Sequence, residues 1–171
     1  MGTTTTARGK ALPFLLTTAI LILDQVSKAL VVARLPMNKR VEILGDFLTF
    51  WHRTNTAVAF SVGWRLPVEV QRVLFLILAL AVVAVVLIYY LRARDVTPGQ
   101  RWLLAGIIGG GLGNQIDRVL RGSVVDWVDV KFYGILGMER WPTFNVADST
   151  VVVVSIIFMV SVIVQESRRK Q

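Results

Sequence analysis

Four stretches of this chain are too long and too apolar for ordinary core helices. They cover about residues 13–32, 70–91, 102–120 and 144–164, and each approaches the roughly 20 residues an α-helix needs to cross a bilayer's hydrocarbon core. Lipid offers no hydrogen bonds to a bare backbone, so runs of this kind are expected as helices. The expected fold class is an all-α membrane protein with four transmembrane helices, the 171 residues forming one domain. A composition of 54% hydrophobic residues and a mean hydropathy of +0.62 agree with that class. The first run carries Asp24 and Lys28 and is longer than the apolar stretch of a cleavable leader, so it is read as a span.

The connecting segments narrow the chemistry. A net charge of +8 would suggest nucleic acid in a soluble protein, but here Lys and Arg lie mainly in loops and tails, which points to anionic membrane lipids and not to nucleic acid. With no cysteine, disulfides, thiol catalysis and Cys-ligated metal are excluded. The single histidine, His52, argues against a zinc centre, and a Ser-His-Asp triad would depend on it alone. No metal or cofactor is expected. Basic residues are densest in the short segments next to the helix ends, in both tails and the second loop (Arg92 to Arg101). This predicts cytoplasmic termini and two longer loops outside. The first of these, about residues 38–66, alternates β-branched and aromatic runs at 41–44, 47–53 and 57–62 with turn residues. A small extracytoplasmic sheet is expected there, with Trp51 and Trp64 at the interface.

Ionisable groups in or beside a membrane need a partner or a task. Asp24 and Lys28, four apart, share a helix face and can neutralise each other or form the polar wall of a site. The third run holds Gly106, Gly109, Gly110, Gly111 and Gly113, whose small-xxx-small spacing suits close helix packing. Asn114 is polar within that run and should bond something buried. Asp117 and Arg118 are adjacent, so they should face different partners, with Arg118 able to snorkel to the headgroups. Asn145 and Asp148 resemble a capping box for the last helix, which by itself accounts for Asp148. Alternatively, Asp148 pairs with a carboxylate of the third loop so that the two share one proton and activate a water, as aspartic proteases do. Asp126 and Asp129 both qualify as that partner. A strand would put them on opposite faces, and spacing does not choose between them. A proton-coupled transporter lined by Asp24, Lys28, Asp117 and Asp148 is the rival from another class.

Five blocks then occur in order: Asp24-Gln25-Val26-Ser27-Lys28, Asn55-Thr56-Ala57-Val58-Ala59-Phe60-Ser61, Gly113-Asn114-Gln115-Ile116-Asp117-Arg118, Val124-Val125-Asp126 and Phe144-Asn145-Val146-Ala147-Asp148-Ser149. Together they resemble the lipoprotein signal peptidase family, or signal peptidase II. The resemblance implies an inner-membrane aspartyl endopeptidase that cuts prolipoproteins just before their diacylglyceryl-modified cysteine. It makes Asp126 and Asp148 the catalytic pair. Asp24, Lys28, Asn55, Gly110, Asn114, Arg118, Asn145 and Ala147 fall on supporting and substrate-contacting positions. It further implies globomycin-like peptides as inhibitors and a monomer as the working form. One block departs: the family usually has Gly-Ala where this chain has Ala57-Val58. Alanine resists backbone conformations that glycine adopts, so an altered loop is expected there.

Overall fold

The structure, a computed structural model, describes residues 7–55 and 67–170. A short helix α1 (Ala7–Ala11) leads into α2 (Phe14–Arg34). Strands β1 (Arg40–Leu44) and β2 (Leu48–Asn55) follow, then α3 (Val68–Arg92), α4 (Pro98–Arg121), β3 (Val124–Val130) and α5 (Val146–Arg169). Pro13 lacks an N–H and separates α1 from α2.

The bundle is apolar outside and polar within. Ile22, Leu23, Val73, Ile77, Val85, Ile156 and Ile163 are exposed, whereas Asp24, Lys28, Asp117 and Asn145 are completely buried. A soluble protein shows the reverse, and lipid in place of water accounts for it. Three helical stretches are long and apolar enough by themselves to cross a membrane: Gly9–Arg34, Glu69–Arg92 and Val146–Arg169. The third expected span is different. It lies within α4, which extends beyond the apolar run at both ends and contains Gln100, Arg101, Asn114, Gln115, Asp117 and Arg118. Helix α4 packs against α2, α3 and α5, so its neighbours supply apolar surface that its own sequence does not.

Glycines make that packing possible. A Cβ at Gly109 would lie 3.1 Å from the Cα of Thr17 in α2, and one at Gly110 would lie 2.7 Å from the Ala147 carbonyl oxygen in α5. Thr17 Oγ1 donates to the Ala105 carbonyl at 2.7 Å across the α2–α4 contact. At the end of α4 remote from the sheet, Tyr90, Val96, Leu104, Ala105 and Ile108 form an apolar core. Arg101, expected among the loop charges that set orientation, is instead buried there, donating to the carbonyls of Tyr90 (2.7 Å) and Ala93 (3.4 Å) at the C-terminus of α3. Those orphaned carbonyls attract a cation, which explains its burial.

The sheet has order β1-β2-β3 and is antiparallel throughout. Its third strand comes from the segment after α4, not from the first loop. The expected run at 57–62, the Ala57-Val58 departure and Trp64 lie outside the described residues. Strand β3 pairs with β2 in a register opposing Arg53 to Asp126 and Thr49 to Asp129. Phe144, next to α5, bonds back to β3: its carbonyl accepts from Trp127 N (3.0 Å) and Val128 N (2.8 Å), and its N–H donates to the Val128 carbonyl at 3.1 Å. This clamp holds the start of α5 beside β3. His52 donates from Nδ1 to the Leu35 carbonyl (2.8 Å), fixing the turn from α2 into the sheet.

Candidate active site

Helix α4 ends at Gly122, whose φ of 72° suits a residue without a side chain. The chain enters β3 at once, and Val125 N–H donates to Asp117 Oδ2 at 3.1 Å. The extended backbone then turns Asp126 and Asp129 to opposite sides. Asp129 takes hydrogen bonds from Thr49 Oγ1 (2.7 Å) and Arg140 Nη1 (2.8 Å) and an ion pair from Arg40 (3.2 Å), all remote from α5. Asp126, almost completely buried, accepts from Asn55 Nδ2 at 2.9 Å and Asn145 Nδ2 at 2.8 Å. Of the two third-loop acids, Asp126 is thus the one that faces the start of α5.

Asp148 occupies the third position of α5 and does form the expected capping box. Its N–H donates to Asn145 Oδ1 at 2.9 Å, and its Oδ2 accepts from Asn145 N at 3.3 Å. Capping leaves Oδ1 for another partner, and Asn114 Nδ2 donates to it at 2.7 Å. Asn145, fully buried, therefore bonds both acids: its amide nitrogen holds Asp126 and its oxygen holds the backbone of Asp148.

Behind the acids sits Lys28. Its Nζ donates to Asp24 Oδ2 (2.7 Å), Asn114 Oδ1 (2.9 Å) and Asp117 Oδ2 (2.9 Å), so three donors meet three acceptors with no solvent exposure. Asp24 Oδ1 accepts from Ala147 N at 3.0 Å, placing a carboxylate at the positive end of α5. Asp24 and Lys28 thus do more than neutralise each other: they tie α2 to α4 and to α5. Gly110, Gly113 and Ala147 are small because there is no room: a Cβ on Gly113 would be 2.7 Å from Asp24 Oδ2. Gln25 donates to Asp117 Oδ1 at 3.3 Å, and Arg121 pairs with the same carboxylate. Gln25 and Arg121 are members of this network to which the sequence reading gave no role. The i,i+4 spacing of Asp117 and Arg121 was the available signal.

Burial pushes the Asp126 carboxyl up to about 6, and the negative charge of Asp148 adds to the rise. Hydrogen bonds from Asn55 and Asn145 and the charge of Lys28 hold it back. Asp126 therefore keeps a proton far closer to neutrality than a solvated aspartate. Arg118 is half-buried and senses the charges of Asp148, Asp126 and Asp117, while its guanidinium makes no hydrogen bond or ion pair with another described residue. Asp117 and Arg118 thus face different ways, as their adjacency predicts. The site thus gathers two carboxylates around one buried amide, with the charge of Arg118 near enough to influence both.

A lipid-facing bundle with a buried, acidic, amide-braced site at its sheet end defines an integral membrane protein. A family model described as signal peptidase (SPase) II matches residues 16–164. The lipoprotein signal peptidase of Treponema denticola is 43% identical over 161 residues, covering 94% of this chain and 93% of that protein. That of Treponema pallidum is 41% identical over 159 residues, covering 92% and 86%. A solved bacterial membrane enzyme superposes with a TM-score of 0.76 at 23% identity, covering 94% of this chain and 92% of that one, a likeness of fold. This chain belongs to the signal peptidase II family, peptidases that remove signal peptides from prolipoproteins.

Proposed function

We propose that the protein is an aspartyl endopeptidase of the inner membrane that releases the signal peptide of diacylglyceryl-modified prolipoproteins, cutting N-terminal to the lipidated cysteine. One observation carries this: Asn145 bonds both Asp126, from β3, and Asp148, from α5, so acids 22 positions apart in sequence share one buried amide. The pair holds one proton and titrates as a unit. The ionised carboxylate takes a proton from water as the water attacks the scissile carbonyl. The protonated carboxyl polarises that carbonyl oxygen and then gives its proton to the leaving amine as the C–N bond breaks. Asn114 and Asn145 orient the acids, with Lys28, Asp24 and Asp117 bracing them from behind. Asn55 holds Asp126 from the sheet, and Arg118 offers donors to the substrate backbone.

Four spans, with α4 as the fourth, fit an interior helix sheathed by the other three. The density of Lys and Arg in the tails and second loop supports cytoplasmic termini, which puts the site and sheet at the extracytoplasmic face. Globomycin-like peptides are the expected inhibitors and a monomer the expected working form. Among the described residues, the apolar cluster of Tyr90, Leu104, Ala105 and Ile108 packs the half of the bundle opposite the acids, which favours the peptidase over a proton-coupled carrier. Purified protein in bicelles, given a lipidated precursor, should yield a product whose first residue is the diacylglyceryl-cysteine, with the unlipidated precursor uncut. Mass spectrometry that finds no product, or equal cutting of both, would refute the assignment.

A further inference from the structure

Arg118 has a companion on its own helix that proton transfer does not use. Gln115 lies one turn earlier in α4 and is only 5% exposed. Its amide oxygen Oε1 is buried and accepts no hydrogen bond from any described residue. Beside it on that side of α4 are Leu112, Ile116 and Val119, whose side chains have no donor to give. A buried acceptor in this state destabilises the fold unless a donor reaches it from outside. The acceptors around the acids are already engaged. Both oxygens of Asp126 and both of Asp148 accept hydrogen bonds from asparagines, Asn114 Oδ1 accepts from Lys28, and Asn145 Oδ1 accepts from Asp148 N–H. Arg118 can only donate. Val119 borders both Gln115 and a groove of about 290 Å³ between the start of α3 and the end of α4, with Arg118 in its wall.

Cleavage at the acids asks more of the substrate than a helical signal peptide offers. A carbonyl inside a helix is bonded to the N–H four residues on, so the stretch around the scissile bond must be extended to be attacked. Unwinding frees N–H groups along with carbonyls, and lipid has no partner for either. In an extended chain the N–H and C=O of one residue point to the same edge. Gln115 and Arg118, three apart on a helix, face the same way and hold an acceptor beside donors that no described residue uses. We propose that Gln115 binds the substrate backbone: with its amide turned to the groove, Oε1 accepts an N–H of the extended stretch before the scissile bond, while Arg118 donates to a carbonyl on the same edge. This rests on the peptidase assignment above and adds to it a residue that reads the backbone of the signal peptide, whatever its side chains.

Gln115→Met keeps the length of the side chain and removes the acceptor. Its cleavage kinetics are measured in bicelles against a lipidated precursor and a series of versions of it. Each version carries an ester in place of one backbone amide before the cut, so that a single N–H is lost at a time. The expected result is a rise of about tenfold in KM for Gln115→Met on the all-amide precursor with kcat nearly unchanged, the effect of one hydrogen bond. The unaltered protein should suffer a similar loss on one of the ester precursors, and on that precursor the variant should be no worse than the unaltered protein. Gln115→Met should also melt no lower than the unaltered protein, since it removes an acceptor without a donor. An unchanged KM for the variant on the all-amide precursor, or losses that multiply on every ester precursor, would overturn the role of Gln115 and leave the peptidase assignment standing; an oxygen with a purely structural partner would give the first of these together with a lower melting point. Failure of the unaltered protein to cut the all-amide precursor would overturn the assignment and the role of Gln115 together.

Discussion

Replacing Gly110 with alanine should weaken catalysis by moving a helix that carries one of the two acids. The added Cβ would sit 2.7 Å from the Ala147 carbonyl oxygen and 2.8 Å from Val151 Cγ2, where ordinary contact begins near 3.4 Å. The first neighbour is backbone and cannot rotate away, so α4 and α5 must part by about 0.7 Å on this side, the shortfall from 3.4 Å. Overpacking of this kind costs about 1–3 kcal/mol. The residue displaced directly precedes Asp148, whose 2.7 Å bond from Asn114 spans the same two helices. Misplacement approaching 1 Å at a reacting group costs on the order of 100-fold in rate. Gly99→Ala is the matched control, because nothing lies within 4 Å of its added Cβ. Single-turnover cleavage in bicelles, alongside thermal unfolding, should show Gly110→Ala slower by about 10- to 100-fold and melting several degrees lower. Gly99→Ala should be neutral or slightly stabilised. Equal rates and melting points for the two variants would show that this contact does not position Asp148.

The buried ions make two further predictions. Lys28→Met leaves Asp24 and Asp117 without their common cation and should cost about 3–5 kcal/mol, while adding Asp24→Asn should recover part of that loss by restoring charge balance. If the two losses simply add in thermal melts, the shared-cation account of the cluster fails. For pH, the folded chain keeps a proton on Asp126 up to about 6, whereas the unfolded chain releases it near 3.8. This contribution to stability is full below about 3.8 and is lost as pH rises to about 6. The working pair needs one proton, so kcat/KM should have an alkaline limb at about 6 or above as well as an acid limb. A flat profile across that range would contradict a shared proton.

Much of the bundle was legible because lipid demands long apolar runs. The capping of α5 was also visible, since Asn145 and Asp148 carry a local signal that needs no tertiary partner. Strand β3 was harder to see. Asp126 and Asp129 lie on opposite faces among apolar neighbours, and both are buried, so no polar-apolar alternation marks the segment. The interior position of α4 was hidden for a related reason. Its glycines and amides lower its apolar character because other helices cover them, and coverage depends on the whole bundle. Arg101 read as a loop charge because its acceptors, the carbonyls at the end of α3, are supplied only by packing. Asp126 could be chosen over Asp129 on geometry only once the β2–β3 register and the Phe144 clamp were visible.

Single-turnover cleavage of a lipidated precursor by Asp126→Asn, Asp148→Asn and the double variant bears most directly on the divided proton. Each single substitution should slow cutting by at least about 10³-fold without lowering the melting temperature enough to unfold the protein. The double variant should be scarcely worse than either, because the two carboxyls act as one unit. Near-normal turnover by either single variant, or losses that multiply in the double, would mean that the acids do not work as a pair.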